Sequence, residues 1–173
     1  MKQFELSRVA ESLQPSGIRK FFDLAASMKG VISLGVGEPD FVTPWNVRQA
    51  CIRSLEQGYT AYTANAGLLE LRQEIAKYLK KQFAVSYDPN DEIIVTVGAS
   101  QALDVAMRAI VNPDDEILII EPSFVSYAPL VTLAGGVPVP VATSLEDEFK
   151  VQPDQIEAEQ QWGGVAALRL SLW

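Results

Sequence analysis

The spacing of apolar residues predicts helices in the first half of the chain. PSGIRKFFDLAASMKG has helical spacing and ends at Gly30. TPWNVRQACIRSL has the form of a helix start, in which Thr43 caps the helix and Pro44 takes its first position. A third, amphipathic helix follows in GLLELRQEIAKYLKKQF, where the apolar residues of one face are Leu68, Leu71, Ile75, Leu79 and Phe83.

Apolar segments without helical spacing predict strands in the second half. DEIIVTVG and DEILIIEPSF have the composition of buried strands, and GGVPVPV is a third strand whose two prolines favour a sheet edge. A helix from about Ser100 separates the first two strands, with Leu103, Ala106, Met107 and Ile110 facing inward. This alternation of strand and helix predicts an α/β fold with a layered, mostly parallel sheet.

The turn at Gly98, Ala99 and Ser100 is the first candidate for chemistry. It lies where a predicted buried strand meets the N-terminus of a helix. The first N–H groups of a helix lack partners within the helix and carry partial positive charge, so they can hold a phosphate. The alternative is that Gly98 only makes the turn and Ser100 only caps the helix. The turn is neither the dinucleotide pattern G-x-G-x-x-G nor a P-loop.

Composition narrows the class of protein. The chain has 173 residues, 48% of them hydrophobic, which suits one domain with a substantial core. Its formal net charge of -8 argues against binding to nucleic acid or to an anionic membrane surface. The absence of histidine excludes His-based triads and most transition-metal sites, so we expect no metal. A single cysteine, no signal-peptide pattern and no long apolar run predict a cytoplasmic protein.

Four segments occur together in one order: SLGVGEPDF at 33–41, YTAYTANAGLLELR at 59–72, VTVGASQAL at 95–103 and EPSFVSYAPLVTLAGGVPVPV at 121–141. Together they closely resemble the N-terminal part of class I/II aminotransferases, the pyridoxal-phosphate (PLP) enzymes of fold type I, over roughly residues 16–157. The resemblance implies part of the fold type I large domain, a three-layer α/β/α structure with a mostly parallel sheet, here truncated. Residues 1–44 would be an N-terminal arm leading into that domain, and residues 45–173 an incomplete PLP-binding large domain.

The resemblance also implies roles for individual residues. Gly98, Ala99 and Ser100 match the turn that grips the cofactor phosphate, and Phe124 matches the aromatic residue that stacks on the pyridine ring. Tyr62 matches the tyrosine that reaches the phosphate of the neighbouring subunit's cofactor, which implies a homodimer; Asn65 and Gly67 would shape its loop. Gly37 matches the glycine beside the substrate carboxylate. Without the resemblance, Phe124 is equally well interpreted as a core residue. The alternative for Tyr62 is a loop residue packed on the adjacent helix, and the alternative for Gly37 is a plain turn residue.

Other parts of the family pattern are absent from this sequence. The family uses a Schiff-base lysine, an Asp paired with the pyridine nitrogen and a late Arg for the substrate carboxylate. None of the seven lysines lies in a Ser-x-x-Lys context after a strand, so we assign no catalytic residue. We therefore expect an aminotransferase by family, acting on an amino acid and a 2-oxo acid through PLP, whose chain is inactive alone. The alternatives are a non-catalytic truncated or frameshifted remnant, one part of a split enzyme, or an unrelated α/β enzyme that uses the same turn for a nucleotide.

Overall fold

The computed structural model describes residues 5–14, 17–30, 32 and 39–159. These residues form two compact units, one from residues 5–14 and 97–159 and the other from residues 17–30, 32 and 39–96. The predicted boundary after residue 44 concerns the domains of the longer family fold and stays a prediction. In chain order the elements are α1 (Arg8–Ser12), α2 (Ile18–Ser27), α3 (Trp45–Glu56), α4 (Leu69–Phe83), α5 (Ala99–Ile110), β1 (Glu116–Glu121), α6 (Tyr127–Ala134), β2 (Val137–Ala142) and α7 (Pro153–Glu159).

The predicted helices α2, α3 and α4 are confirmed, but the predicted start of α3 is wrong. The helix begins at Trp45 and Pro44 is its N-cap, because the ψ of Pro44 is 142°, which is extended rather than helical. The Pro44 carbonyl accepts from the N–H groups of Val47 and Arg48, both at 3.1 Å. Thr43 makes no capping hydrogen bond. The fixed φ of proline suits the cap as well as the first helical position, so the sequence signal was correct to within one residue.

Helix α4 buries a charged residue rather than the whole of its apolar face. Ile75 and Leu79 are half-buried, whereas Leu71 and Phe83 are exposed. Arg72 is 7% exposed, and its Nη1 donates to the carbonyls of Pro89 at 2.6 Å and Asn90 at 3.0 Å. These two bonds fasten the turn that leads into residues 91–97 against the helix.

The segment DEIIVTVG, predicted as a buried strand, is not a strand within the described part of the chain. A strand needs a continuous hydrogen-bonded partner, and the described residues provide only single contacts here. The Val95 N–H donates to the Ala66 carbonyl at 3.0 Å. Gly67 adjoins this contact with a φ of +91°, and a Cβ at Gly67 would lie 2.7 Å from the Val95 Cβ. Only glycine permits both the backbone conformation and the close approach.

Strands β1 and β2 confirm the predicted parallel pairing. They lie side by side in parallel, with Ile117 opposite Pro138 and Ile119 opposite Pro140. The flanking bonds, from Val137 N–H to the Asp115 carbonyl and from Thr143 N–H to the Glu121 carbonyl, come from odd-numbered positions, the first residue of β2 and the residue that follows it. The two prolines therefore occupy positions whose backbone nitrogen faces away from β1, so the pairing loses no donor.

The core of this unit lies between the sheet and two helices. The connection from β1 to β2 runs through α6, which makes a compact β–α–β unit, and α5 packs against α6. Glycine at position 136 allows the chain to pass close to Val111 and Val131 as it enters β2. The buried cluster contains Met107 from α5, Ile117 and Ile119 from β1, Tyr127 and Val131 from α6, and Val111.

Candidate functional site: the turn before α5

The turn before α5 depends on a glycine for its backbone. Gly98 is the N-cap of the helix, with φ of 84° and ψ of 169°, a conformation that side chains other than hydrogen disfavour. Nothing lies within 4 Å of the position that a Cβ on Gly98 would occupy. The glycine is therefore needed for the chain direction, and the space beside it is open.

The start of α5 presents hydrogen-bond donors to this open space. Gly98 provides no side-chain cap, and the first turn of the helix contains no acidic residue. Within the described ranges, the backbone N–H groups of Ala99 and Ser100 have no acceptor, and neither does the Ser100 hydroxyl. Both residues are exposed. Unpartnered donors at the N-terminus of a 12-residue helix carry partial positive charge and suit an anion such as phosphate.

Gln101 contributes to this turn, a role that the sequence reasoning missed. Its side-chain Oε1 accepts a hydrogen bond from the Val97 N–H at 2.6 Å. Gln101 stands three residues after the N-cap, where glutamine or glutamate often reaches back to the backbone that precedes a helix. That spacing was the signal that could have identified it. The bond joins the first turn of α5 to the residue before Gly98.

Phe124 lies in the same unit, just beyond the carboxyl end of β1. Its ring contacts that of Tyr127 edge to face, with centroids 5.6 Å apart and planes at 74°. Tyr127 belongs to the buried cluster that also contains Met107 of α5. Phe124 itself is 48% exposed. It is therefore not a fully buried core residue, and an anchored aromatic ring with a free surface can receive a flat ligand.

Tyr62 belongs to the other unit and lies on the loop before α4, where its side chain is fully exposed. It is therefore not packed on the adjacent helix, which was the alternative reading. The Gly67 N–H donates to the Ala64 carbonyl at 2.8 Å, and the positive φ of Gly67 closes the loop. This agrees with the predicted role of Gly67 in the loop, whereas Asn65 is simply exposed. Gly37 lies outside the described residues.

The two carboxylates whose pKa values are lowered, Asp88 and Asp115, lie in polar turns that are separate in sequence from the turn at Gly98. Hydrogen bonds from the backbone and side chain of Asn112 lower the pKa of Asp115. Equivalent bonds from Asn90 lower the pKa of Asp88. Across the part of the chain that the structure describes, no group of three acidic, Cys or His residues could hold a metal ion. In the same ranges, no helix has both the length and the apolar character needed to cross a bilayer.

Comparison with known proteins identifies the family. The model of aminotransferase class I and II matches residues 29–165. The chain belongs to the class I and II aminotransferases. It is 65% identical over 153 residues to YugH of Bacillus subtilis, whose name describes an aminotransferase, and covers 40% of that protein with 88% of its own length. It is 51% identical over 145 residues to an aspartate aminotransferase of Pyrococcus abyssi, which uses 84% of this chain and 37% of the relative.

Solved structures of the family share the fold. An aromatic aminotransferase from Pyrococcus horikoshii superposes with a TM-score of 0.72 at 47% identity, over 82% of this chain and 37% of that one. The expected α/β class of fold type I, with a parallel sheet, is therefore confirmed, and membership of this family rules out an unrelated α/β enzyme. The chain spans about 40% of the length of the aminotransferases that it matches.

Members of this aminotransferase family generally depend on PLP, and the residues of the turn fit one end of that cofactor. Phosphate needs several hydrogen-bond donors and no competing carboxylate. Ala99 and Ser100 supply donors, Gly98 leaves the space beside them open, and the first turn of α5 contains no acid. Phe124, with its exposed ring surface, fits contact with an aromatic ring.

Proposed function

We propose that this chain carries the phosphate-binding part of the PLP site of an aminotransferase, an enzyme that moves an amino group between an amino acid and a 2-oxo acid. The observation that supports the proposal most strongly is the start of α5, where the Ala99 and Ser100 donors have no acceptor among the described residues and nothing lies within 4 Å of a Cβ position at Gly98. Family membership makes PLP the anion of choice. PLP, when bound, supplies an electron sink for the bonds at the amino-acid α-carbon.

The residues of this chain bind and orient the cofactor in this proposal. The backbone of Gly98 and Ala99 and the hydroxyl of Ser100 hold the phosphate, and the dipole of α5 stabilises its negative charge. Phe124, whose ring is 48% exposed, would contact the pyridine ring. Tyr62, whose hydroxyl is free to reach outward, serves the cofactor of a neighbouring subunit in a homodimer. The match to the family motif assigns Gly37 to the substrate carboxylate.

The substrate is proposed only as a class. Related proteins carry names for aspartate and for aromatic amino acids, although they match the same segment of this chain at comparable identity. The matched segment therefore does not discriminate between an acidic and an aromatic side chain. We propose the cytoplasm as the compartment, on the basis of the single cysteine.

We propose further that the 173-residue chain does not catalyse transamination alone. The five lysines whose side chains the structure describes are all exposed. Lys77 pairs with Glu74 and Lys150 pairs with Glu148, both at the surface. A nucleophilic lysine is activated by desolvation or by a neighbouring cationic group, and exposed lysines of this kind have no such activation.

The proposal is tested by binding of pyridoxine 5′-phosphate and of pyridoxine, measured by equilibrium dialysis. Neither compound has an aldehyde, so neither reacts with lysine. The wild-type chain is expected to prefer the phosphorylated compound. Ser100→Asp places a carboxylate among the phosphate donors and is expected to weaken its binding by about fivefold or more, since repulsion between close charges costs about 1 kcal/mol or more even in water.

Ser7→Asp is the matched control. It adds the same charge at the N-terminus of α1, where Ser7 accepts from the Ala10 N–H and Asp is an equally good cap. The control is expected to bind like the wild type. Equal affinity of the wild type for the two compounds, or equal effects of the two Asp variants, would overturn the proposal.

A further inference from the structure

We propose that Gln101 is a positioning residue for the phosphate site: it bonds to the backbone that precedes α5, which fixes the start of the helix and leaves the first-turn donors available to the phosphate. The inference rests on the proposed function, because it concerns how the same donors are held. It assigns no contact between Gln101 and the cofactor.

Most helices are capped by a side chain at the N-cap. A Ser, Thr, Asp or Asn at the N-cap folds its side chain over the N–H groups of the second or third helical residue. That bond stabilises the helix but occupies donors that an anion needs. In α5 the N-cap is Gly98, which has no side chain to do this. A glycine N-cap alone leaves the helix start poorly fixed, because glycine is conformationally free.

Gln101 restrains the start of α5 without using those donors. Its Oε1 accepts from the Val97 N–H at 2.6 Å, a donor that precedes the helix. The bond spans Gly98 and ties the two sides of the turn together. The N–H groups of Ala99 and Ser100 stay without an acceptor among the described residues. The turn is thus held in one conformation before a ligand arrives, which lowers the entropy that binding must overcome.

The chain contains a matched control for this bond. At α7 the Gln155 Oε1 accepts from the Gln152 N–H at 2.8 Å, three residues before it. Gln101→Met and Gln155→Met each remove such an acceptor while keeping an unbranched side chain with good helix propensity. Gln155→Met also removes the bond from Gln155 Nε2 to the Ala142 carbonyl at 2.9 Å, so the control is the more severe change of the two. The measured quantity is the ratio of the dissociation constants for pyridoxine and pyridoxine 5′-phosphate. Gln101→Met is expected to reduce this ratio about three- to tenfold, the effect of losing one hydrogen bond, and Gln155→Met to leave it unchanged.

The outcomes separate the two proposals. If Gln101→Met keeps the wild-type ratio while Ser100→Asp loses it, Gln101 is merely structural, the inference is overturned and the proposed function stands. If the wild type shows no preference for the phosphorylated compound, both are overturned.

A second measurement needs no variant and covers the case in which Gln101→Met does not fold. In amide hydrogen exchange of the wild type, we expect Val97 to be protected and Ala99 and Ser100 to exchange fast, becoming protected when pyridoxine 5′-phosphate is added. Exchange at Val97 as fast as at Ala99 would show that the Gln101 bond is absent, and would overturn the inference.

Discussion

Replacing Gly67 by Ala tests how the loop that carries Tyr62 is closed. Two penalties apply at this position. The φ of +91° disfavours any residue with a Cβ, at a cost of about 1–2 kcal/mol. The new Cβ would also lie 2.7 Å from the Val95 Cβ, an atom fixed to the backbone that cannot rotate away. Overpacking of this kind costs about 1–3 kcal/mol. If the penalties add, Gly67→Ala lowers the free energy of unfolding by about 2–5 kcal/mol.

Gly58 is the matched control, since it lies in the same unit and also has a positive φ, of +79°, but nothing lies within 4 Å of its Cβ position. Gly58→Ala is therefore expected to cost only the backbone penalty of about 1–2 kcal/mol. The assay is urea unfolding followed by far-UV circular dichroism, with the slope checked for each variant so that midpoints can be compared. Equal losses for the two variants would refute the reasoning, because the contact between Gly67 and Val95 would then contribute nothing.

The remaining predictions concern the other unit and the lysines. Met107 is 1% exposed in the core, so Met107→Ala is expected to lower the free energy of unfolding by about 2–5 kcal/mol and Met107→Leu by less than about 1.5 kcal/mol; similar losses in urea unfolding would contradict this. The Asp115 carboxylate accepts from the Asn112 backbone and side chain, and its pKa is lowered, so its stabilisation is present above about pH 4 and is lost as the pH falls through the folded-state pKa. Asp115→Asn should therefore have a lower urea midpoint than the wild type at neutral pH and the same midpoint in acid; a constant difference would show that the charge is irrelevant. Borohydride reduction of the chain with PLP should label several exposed lysines partially, and one stoichiometric pyridoxyl-lysine in the mass map would contradict the expected lack of transaminase chemistry.

The elements that were best predicted from the sequence are those whose pattern of apolar residues is visible within the element itself. Helix α4 has a regular apolar spacing, and β1 has a dense apolar run, so both were identified without knowledge of their neighbours. Helix α6 was not predicted as a helix. YAPLVTLA is apolar at nearly every position, so it lacks the polar face that would show the 3.6-residue periodicity of a helix. The DEIIVTVG segment has the composition of a strand, but a strand also requires a partner, which composition does not show.

The candidate site was predictable in its position but not in its detail. A glycine and a small residue before a helical pattern indicated the turn at Gly98, and the family resemblance gave it a role. The bond from Val97 to Gln101 was not predicted, because a glutamine at a helix start is ordinary until the N-cap is known to lack a side chain. Phe124 could not be separated from a core residue by sequence, since its half-exposed state depends on how its ring meets Tyr127.

The central claim is that the turn before α5 holds the phosphate of a pyridoxal-type cofactor, and a titration observed by NMR tests it most directly. The ¹⁵N-labelled chain is titrated with pyridoxine 5′-phosphate while the backbone amide shifts are followed. The account predicts saturable shifts that are largest at Ala99 and Ser100, and only small shifts there with pyridoxine. Shifts that fail to saturate, that are the same for both compounds, or that concentrate away from this turn would contradict it.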